Sequence, residues 1–261
     1  MSTSRPSNKN RGDEKLSSLM KQAECLADKG KYEEAIAQIK KAIAIFPNEP
    51  KCSIRLAEFY HAQKKIGPAV EAMKTAVGLD PYDCLSQERL LRALIELDRY
   101  DEAIKLAHKM LVTFPNNLYA RDVLGIAYLQ KGLLDNSLQA INQLIALAPS
   151  EAGYYFKRAI ILQQKGLTRQ AMMGFIQALE MDPSGDLAPN ARQAIASLDS
   201  YQLKRVLTIA VDDMVFRVKL ARDPASAVEE RGFTLSHDGI AALRQIDFEA
   251  MPVDTRKETY H

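Results

Sequence analysis

Pro47, Pro81, Pro115, Pro149 and Pro183 stand 34 residues apart, and the interval never varies. A proline has no N–H to give to a helix and drives the residue before it out of the helical region. An even series of prolines therefore marks an even series of helix ends. A fixed period between 20 and 50 residues is the mark of a stacked array of small units. In such an array each unit buries its apolar face against its neighbours, and the whole offers an extended surface to a partner.

With each proline placed at position 32 of its unit, the units begin at Leu16, Pro50, Cys84, Leu118 and Ala152. Position 8 then holds Ala23, Ala57, Leu91, Gly125 and Ala159, and position 20 holds Ala35, Ala69, Ala103, Ser137 and Ala171. Position 27 holds Ala42, Ala76, Met110, Leu144 and Ala178. Small residues at such points let helix backbones approach closely. Larger ones fill the space between, as Ile39, Met73, Ile141 and Phe175 do at position 24, where Ala107 is the exception. Gly30, Gly132 and Gly166 at position 15 predict a turn past a helix C-terminus.

The stretches GKYEEAIAQIKKAIAIFP, DRYDEAIKLAHKMLVTFP and GLTRQAMMGFIQALEMDP resemble the tetratricopeptide repeat, a helix–turn–helix unit of this length. The resemblance runs from Leu16 to about Pro183 and implies an all-α, right-handed superhelical solenoid of five units. Two departures stand out: no unit has a tryptophan at position 4, and Arg158 occupies the usually apolar position 7 of the fifth unit. That arginine either disturbs the packing of the last unit or marks where the following segment docks.

The expected organisation is a disordered arm over 1–14, five repeats over 15–183, a capping helix and helical region over 184–248, and a polar tail over 249–261. After Pro183, LAPNARQAIASLD reads as an amphipathic capping helix. Leu203, Val206, Leu207, Ala210, Met214, Val218 and Ala221 then recur as a helical stripe of about five turns. Asp223-Pro224 opens a short helix that ends at Gly232, and Ser236 caps a last one with Ile240, Leu243 and Ile246 on one face. The segment VFRVKLARDPASAVEERGFTLSHDGIAALRQID resembles the short helical segment of nitrile-hydratase-type leader peptides and of the small subunit of some ring-opening dioxygenases. A generic helical bundle is the plainer reading beside it.

Composition narrows the function. A formal net charge of +2 with 26% charged residues gives no basic face, so no nucleic-acid partner is expected. The N-terminus lacks an apolar signal region, and no apolar run is long enough for stable membrane insertion, which points to a cytoplasmic protein. Cys25, Cys52 and Cys84 are read as free thiols. His61, His108, His237 and His261 have no partners at metal-ligand spacing, and no phosphate loop or nucleophile motif occurs. No catalytic residue, metal or cofactor is therefore expected, and adjacent Asp212 and Asp213 are read as a solvated helix face.

The resemblance implies that the first helix of each unit lines the binding groove through positions 2, 5, 9 and 12. Transferred to this chain, those positions give an N-terminal half with Glu24, Glu58 and Glu88 against Lys51 and Arg92. The C-terminal half is apolar, with Tyr119, Ile126, Leu129, Phe156 and Ile160. The Lys and Asn residues of the carboxylate clamp that holds chaperone tails do not assemble in any register: the first gives Met20, Glu24, Arg55, Leu85 and Arg89. The expected partner is another protein, presenting a helix or extended peptide to a scaffold or adaptor. Three alternatives stand beside this. The chain's own 203–220 could dock in the groove, Tyr119 and Phe156 could simply pack between repeats, or the chain could be an accessory subunit that presents or helps mature an enzyme through its C-terminal helices.

Overall fold

In the computed structural model, residues 8–248 and 250–251 are described. Five helix pairs follow one another: α1 (Asn8–Asp28) and α2 (Tyr32–Ile45), α3 (Pro50–Ala62) and α4 (Ile66–Leu79), α5 (Cys84–Glu96) and α6 (Tyr100–Thr113), α7 (Leu118–Gln130) and α8 (Leu134–Leu147), α9 (Ala152–Gln164) and α10 (Thr168–Met181). Every second helix begins at position 17 and ends at position 30 of the 34-residue register. All the first helices end at position 13.

The residue before each ladder proline explains the common stop. Phe46, Asp80, Phe114, Ala148 and Asp182 all have φ between −124° and −142° with ψ between 68° and 87°, outside the helical region. Each gives its N–H to the carbonyl of position 27, closing the helix. The next start is set two residues after the proline, where Glu49, Asp83 and Asn117 accept backbone N–H groups of the following helix. At position 15, Gly30, Gly132 and Gly166 adopt φ of 75°, 71° and 75°; Lys64 and Asp98 take the same left-handed turn at 58° and 54° without being glycine.

The missing tryptophan has a physical substitute. In three units the position-4 side chain reaches back to the carbonyl of the preceding ladder proline: Gln87 donates to Pro81 at 2.8 Å, Arg121 to Pro115, and Tyr155 to Pro149 at 3.0 Å. After the last repeat, Arg192 does the same for Pro183 at 2.6 Å. The carbonyls next to the helix ends are thus satisfied from the following helix. Charge adds a second link between successive pairs, as in Glu33 with Lys65 at 2.7 Å and Asp101 with Lys131.

The chain divides into two compact units, Met1–Gly132 and Leu133–His261. In the first, α1 to α7 pack in sequence, each helix on the next. The small residues of positions 8 and 20 are buried throughout, with Ala23, Ala35 and Ala103 fully so. The helix α1 starts at Asn8, inside the stretch 1–14 expected as an arm. Residues 1–7 lie outside the described residues, as do 252–261 of the expected tail. From Gly12 the extension runs past Phe46, whose ring would lie 3.9 Å from an added Cβ.

In the second unit α8, α9 and α10 are followed by α11 (Ala188–Asp212), α12 (Met214–Arg222), α13 (Pro224–Glu230) and α14 (His237–Arg244). The capping segment and the stripe beyond it are one helix of 25 residues, not two, so no break follows Asp199. The break comes at Asp213, which leaves the helical region at φ −115°, ψ 98° and accepts the Phe216 N–H at 2.9 Å. Asp213 is therefore a cap, also paired with Arg231, rather than part of a solvated helix face. Because the break rotates α12 relative to α11, Met214 and Val218 are exposed instead of continuing the buried stripe.

The two halves of α11 serve different cores. Its first half brings Ala194, Ile195 and Leu198 onto a cluster of Ala159, Leu162, Ala171, Met172 and Phe175. Its second half contributes Val206 and Ala210 to a separate cluster with Phe216, Leu220, Ala227, Val228, Phe233 and Leu243. The predicted starts of α13 and α14 hold: Asp223 and Ser236 accept the N–H groups of Ser226 and Gly239. Asp199, 6% exposed, ties α14 to α11 by accepting from both the backbone N–H (2.8 Å) and the hydroxyl of Ser236. Gln202 repeats the tie at Thr234, accepting its N–H at 2.9 Å.

Candidate functional site

In the first compact unit the first helices of the pairs, α1, α3, α5 and α7, carry the inferred groove positions. Two adjacent clefts open along them. One, of about 320 Å³, is lined by Met20, Lys51, Ile54, Arg55, Glu58 and Arg89. The other, of about 290 Å³, has an apolar floor of Ala57, Ala62, Ala69, Met73 and Ala93, and a rim of Glu58, His61, Arg89, Arg92 and Glu96. Glu58 and Arg89 belong to both. Of the transferred positions, Met20, Lys51, Ile54, Glu58, His61 and Arg92 line these clefts, whereas Glu24, Glu88 and Tyr119 do not.

The acids of that N-terminal half have partners. Arg55 meets Glu24 at 2.7 Å and Glu58 at 2.8 Å, and Arg89 meets the other Glu58 oxygen at 2.7 Å. The row Glu24–Arg55–Glu58–Arg89 alternates in sign along three successive pairs. Desolvation alone would lower the Arg55 pKa; Glu58 and then Glu24 override it and raise it instead. Glu88 is also engaged, accepting from Asn117 at 2.7 Å. The surface is therefore charge-compensated. Arg55 and Arg89 are absent from positions 2, 5, 9 and 12, although the carboxylate-clamp register includes both. Both stand at position 6, 34 residues apart, so the register itself carried the signal.

The residues expected to make the apolar half divide. In the first unit Tyr119, Ile126 and Leu129 of α7 are half-buried. Tyr119 is not purely apolar in role: the Arg92 guanidinium lies 6.0 Å from its ring centroid. That contact, first through a hydrogen bond to the Tyr119 side chain, raises the Arg92 pKa. In the second unit Phe156 and Ile160 are half-buried on the cluster that receives Ala194, Ile195 and Leu198. Phe156 meets Phe175 edge-on at 5.4 Å. What packs on that cluster is the first half of α11. The segment 203–220 buries its own apolar residues against α13 and α14 instead, so it is not the occupant anticipated for a groove.

Arg158 is accommodated inside its own pair. It stacks on Tyr155 at 5.1 Å and reaches Gln177 at 3.5 Å, carrying its charge to the edge of the packing. Among the described residues, no group of three or more His, Cys, Asp or Glu side chains is placed to hold a metal ion. No helix among them is long and apolar enough to cross a membrane.

Two family profiles, both described as tetratricopeptide repeat, match residues 26–87 and 88–152. The peroxisomal targeting signal receptor of Kluyveromyces lactis is 25% identical over 99 residues, covering 38% of this chain and 18% of that protein. The aspartyl/asparaginyl beta-hydroxylase of Homo sapiens is 22% identical over 189 residues, covering 68% of this chain and 25% of that protein. The chain spans a quarter or less of these relatives. Among solved structures, MamA 41-end from Desulfovibrio magneticus RS-1 is similar at a TM-score of 0.56 and 20% identity, over 66% of this chain and 97% of that one. YrrB, described as a TPR protein with an unusual peptide-binding site, gives 0.57 and 18%, over 67% and 90%. At these identities the likeness shows the fold. Five helix pairs keep one 34-residue register, and residues 26–152 of that array match the tetratricopeptide repeat.

Proposed function

We propose that this protein is a non-catalytic scaffold or adaptor that holds a segment of another protein on the face formed by α1, α3 and α5. The observation that carries the reading is the pair of clefts sharing Glu58 and Arg89 on that face. An apolar floor of alanines and Met73 accepts small aliphatic side chains, and the alternating rim offers donors and acceptors to a peptide backbone or to mixed charges. Because Glu24 and Glu58 are neutralised by Arg55 and Arg89, the face selects by shape and hydrogen bonding rather than by attracting a strongly basic segment. Tetratricopeptide domains serve generally in protein–protein interaction, and the peptide-binding site for which YrrB is described supports the same use here.

Affinity purification from the native cell, with mass spectrometry, gives the test. Ala93→Arg fills the second cleft from its floor, and Arg92→Glu reverses one rim charge. Loss of the same captured proteins with both variants is the expected result. If both variants fold and capture the same set as the unmodified chain, the binding face lies elsewhere.

A further inference from the structure

Burial and sequence pattern part company on α12. Within MVFRVKLAR, Phe216, Arg217 and Leu220 are buried, whereas Met214, Val215 and Val218 are 61%, 68% and 63% exposed. Single aliphatic side chains on a surface need no explanation, but a contiguous group on one short helix does. Beside it opens a cleft of about 380 Å³, walled by Met214, Val218, Ala221 and Met251 over Phe248.

The charges at this cleft have one sign. Arg217 and Arg222 line it, and no carboxylate does among the described residues. Arg217 is 6% exposed and donates to the Met251 carbonyl at 3.1 Å, which fixes its guanidinium in the wall. Lys219, the other cation of α12, is paired with Glu230. An apolar strip with the exposed Arg222 at its edge is complementary to aliphatic anchors with a flanking carboxylate, which arginine binds strongly and with defined geometry.

We infer that this face of the C-terminal bundle is a second docking surface, taking a short amphipathic helix of another protein with aliphatic anchors and acidic flanks. The exposed strip is about two helical turns long, the length over which anchors at i, i+3 and i+4 fall in line. It shares no residue with the clefts of α1, α3 and α5, so it stands whether or not those clefts bind a peptide.

The test pans a random 12-residue phage-displayed library on the full-length chain, then titrates the enriched peptides by fluorescence anisotropy. The expected sequences carry leucine-like residues at helical spacing with flanking Asp or Glu. Val218→Asp and Arg222→Glu each weaken them at least tenfold, and Arg92→Ala leaves them unchanged. Val218→Ser is the milder variant if the aspartate disturbs folding. Peptides that keep their binding in Ala93→Arg, and so do not occupy the α1, α3 and α5 clefts, decide the matter: if none of them is acidic and sensitive to Val218→Asp and Arg222→Glu, or if no peptide enriches, the inference is overturned. If Val253→Asp with Tyr260→Asp strengthens binding tenfold, the occupant is the chain's own C-terminal segment and the inference is wrong. It is equally wrong if the chain is a dimer that Val218→Asp separates.

Discussion

Gly239→Ala tests how the C-terminal helices are held together, because local and tertiary effects act in opposite directions there. Gly239 lies in the first turn of α14, and alanine in a helix is favoured over glycine by about 0.5–1 kcal/mol. The added Cβ would stand 2.7 Å from Asp199 Oδ1 and 2.8 Å from its Cγ, well inside ordinary contact. The carboxylate cannot retreat freely, since it accepts the Ser236 N–H at 2.8 Å and the Ser236 hydroxyl as well. Losing one hydrogen bond to a carboxylate costs about 1.5–3 kcal/mol, which exceeds the propensity gain and leaves a net destabilisation of about 1–2 kcal/mol.

Native-state hydrogen exchange of the full chain reads this locally. Amides of α14 and the second half of α11 should exchange about 5–30-fold faster in Gly239→Ala, with α3 to α6 unchanged. In an Asp199→Ala background the obstacle is gone, so the alanine should become neutral or stabilising; the double-mutant cycle isolates that coupling. Slower exchange in the single variant, or the same penalty with and without Asp199, would refute the argument.

Other expectations rest on the contacts of the repeats. Tyr155→Phe removes the donor to the Pro149 carbonyl and should lower stability by about 1 kcal/mol in urea unfolding, although the ring is kept. Lys64→Gly relieves a left-handed lysine at φ 58° and should stabilise by about 0.5–1 kcal/mol; Asp98→Gly should gain less, because Asp98 accepts the Tyr100 hydroxyl. The Glu102 pKa is lowered from 4.5 to about 2, first by Arg99 and then by Lys74. A depressed folded pKa gives stability above the unfolded value that is lost as pH falls, so Tm should drop between about pH 4.5 and 2, and less steeply in Glu102→Gln. Glu102, Arg99 and Lys74 are partly exposed, so solvent screening should keep the effect small and salt-sensitive.

The proline ladder made the repeats legible because one covalent fact, a missing N–H, acts the same way in every unit. Helix ends, turns and the buried small residues all followed from it. What remained hidden depends on partners brought together by folding. Position 4 reads as a departure until Gln87, Arg121 and Tyr155 are seen to reach the preceding proline carbonyls. Glu24 and Glu58 read as set against Lys51 and Arg92 because a sequence displays charges without their partners. Their neutralisation by Arg55 and Arg89 depends on side-chain reach across pairs.

The C-terminal region shows the limit most clearly at Asp213. Hydrophobic spacing from Leu203 to Ala221 fits one continuous helix, and periodicity alone cannot say that an aspartate within it will cap rather than ride on the surface. The choice is made by contacts distant in sequence. Arg231 pairs with the Asp213 carboxylate, and the broken geometry lets Phe216 and Leu220 reach Ala227, Val228 and Leu243. The same rotation that buries those two turns Met214 and Val218 outward. The exposed strip on α12 is thus a consequence of how the second core is closed, and a docking partner would convert that consequence into a binding surface.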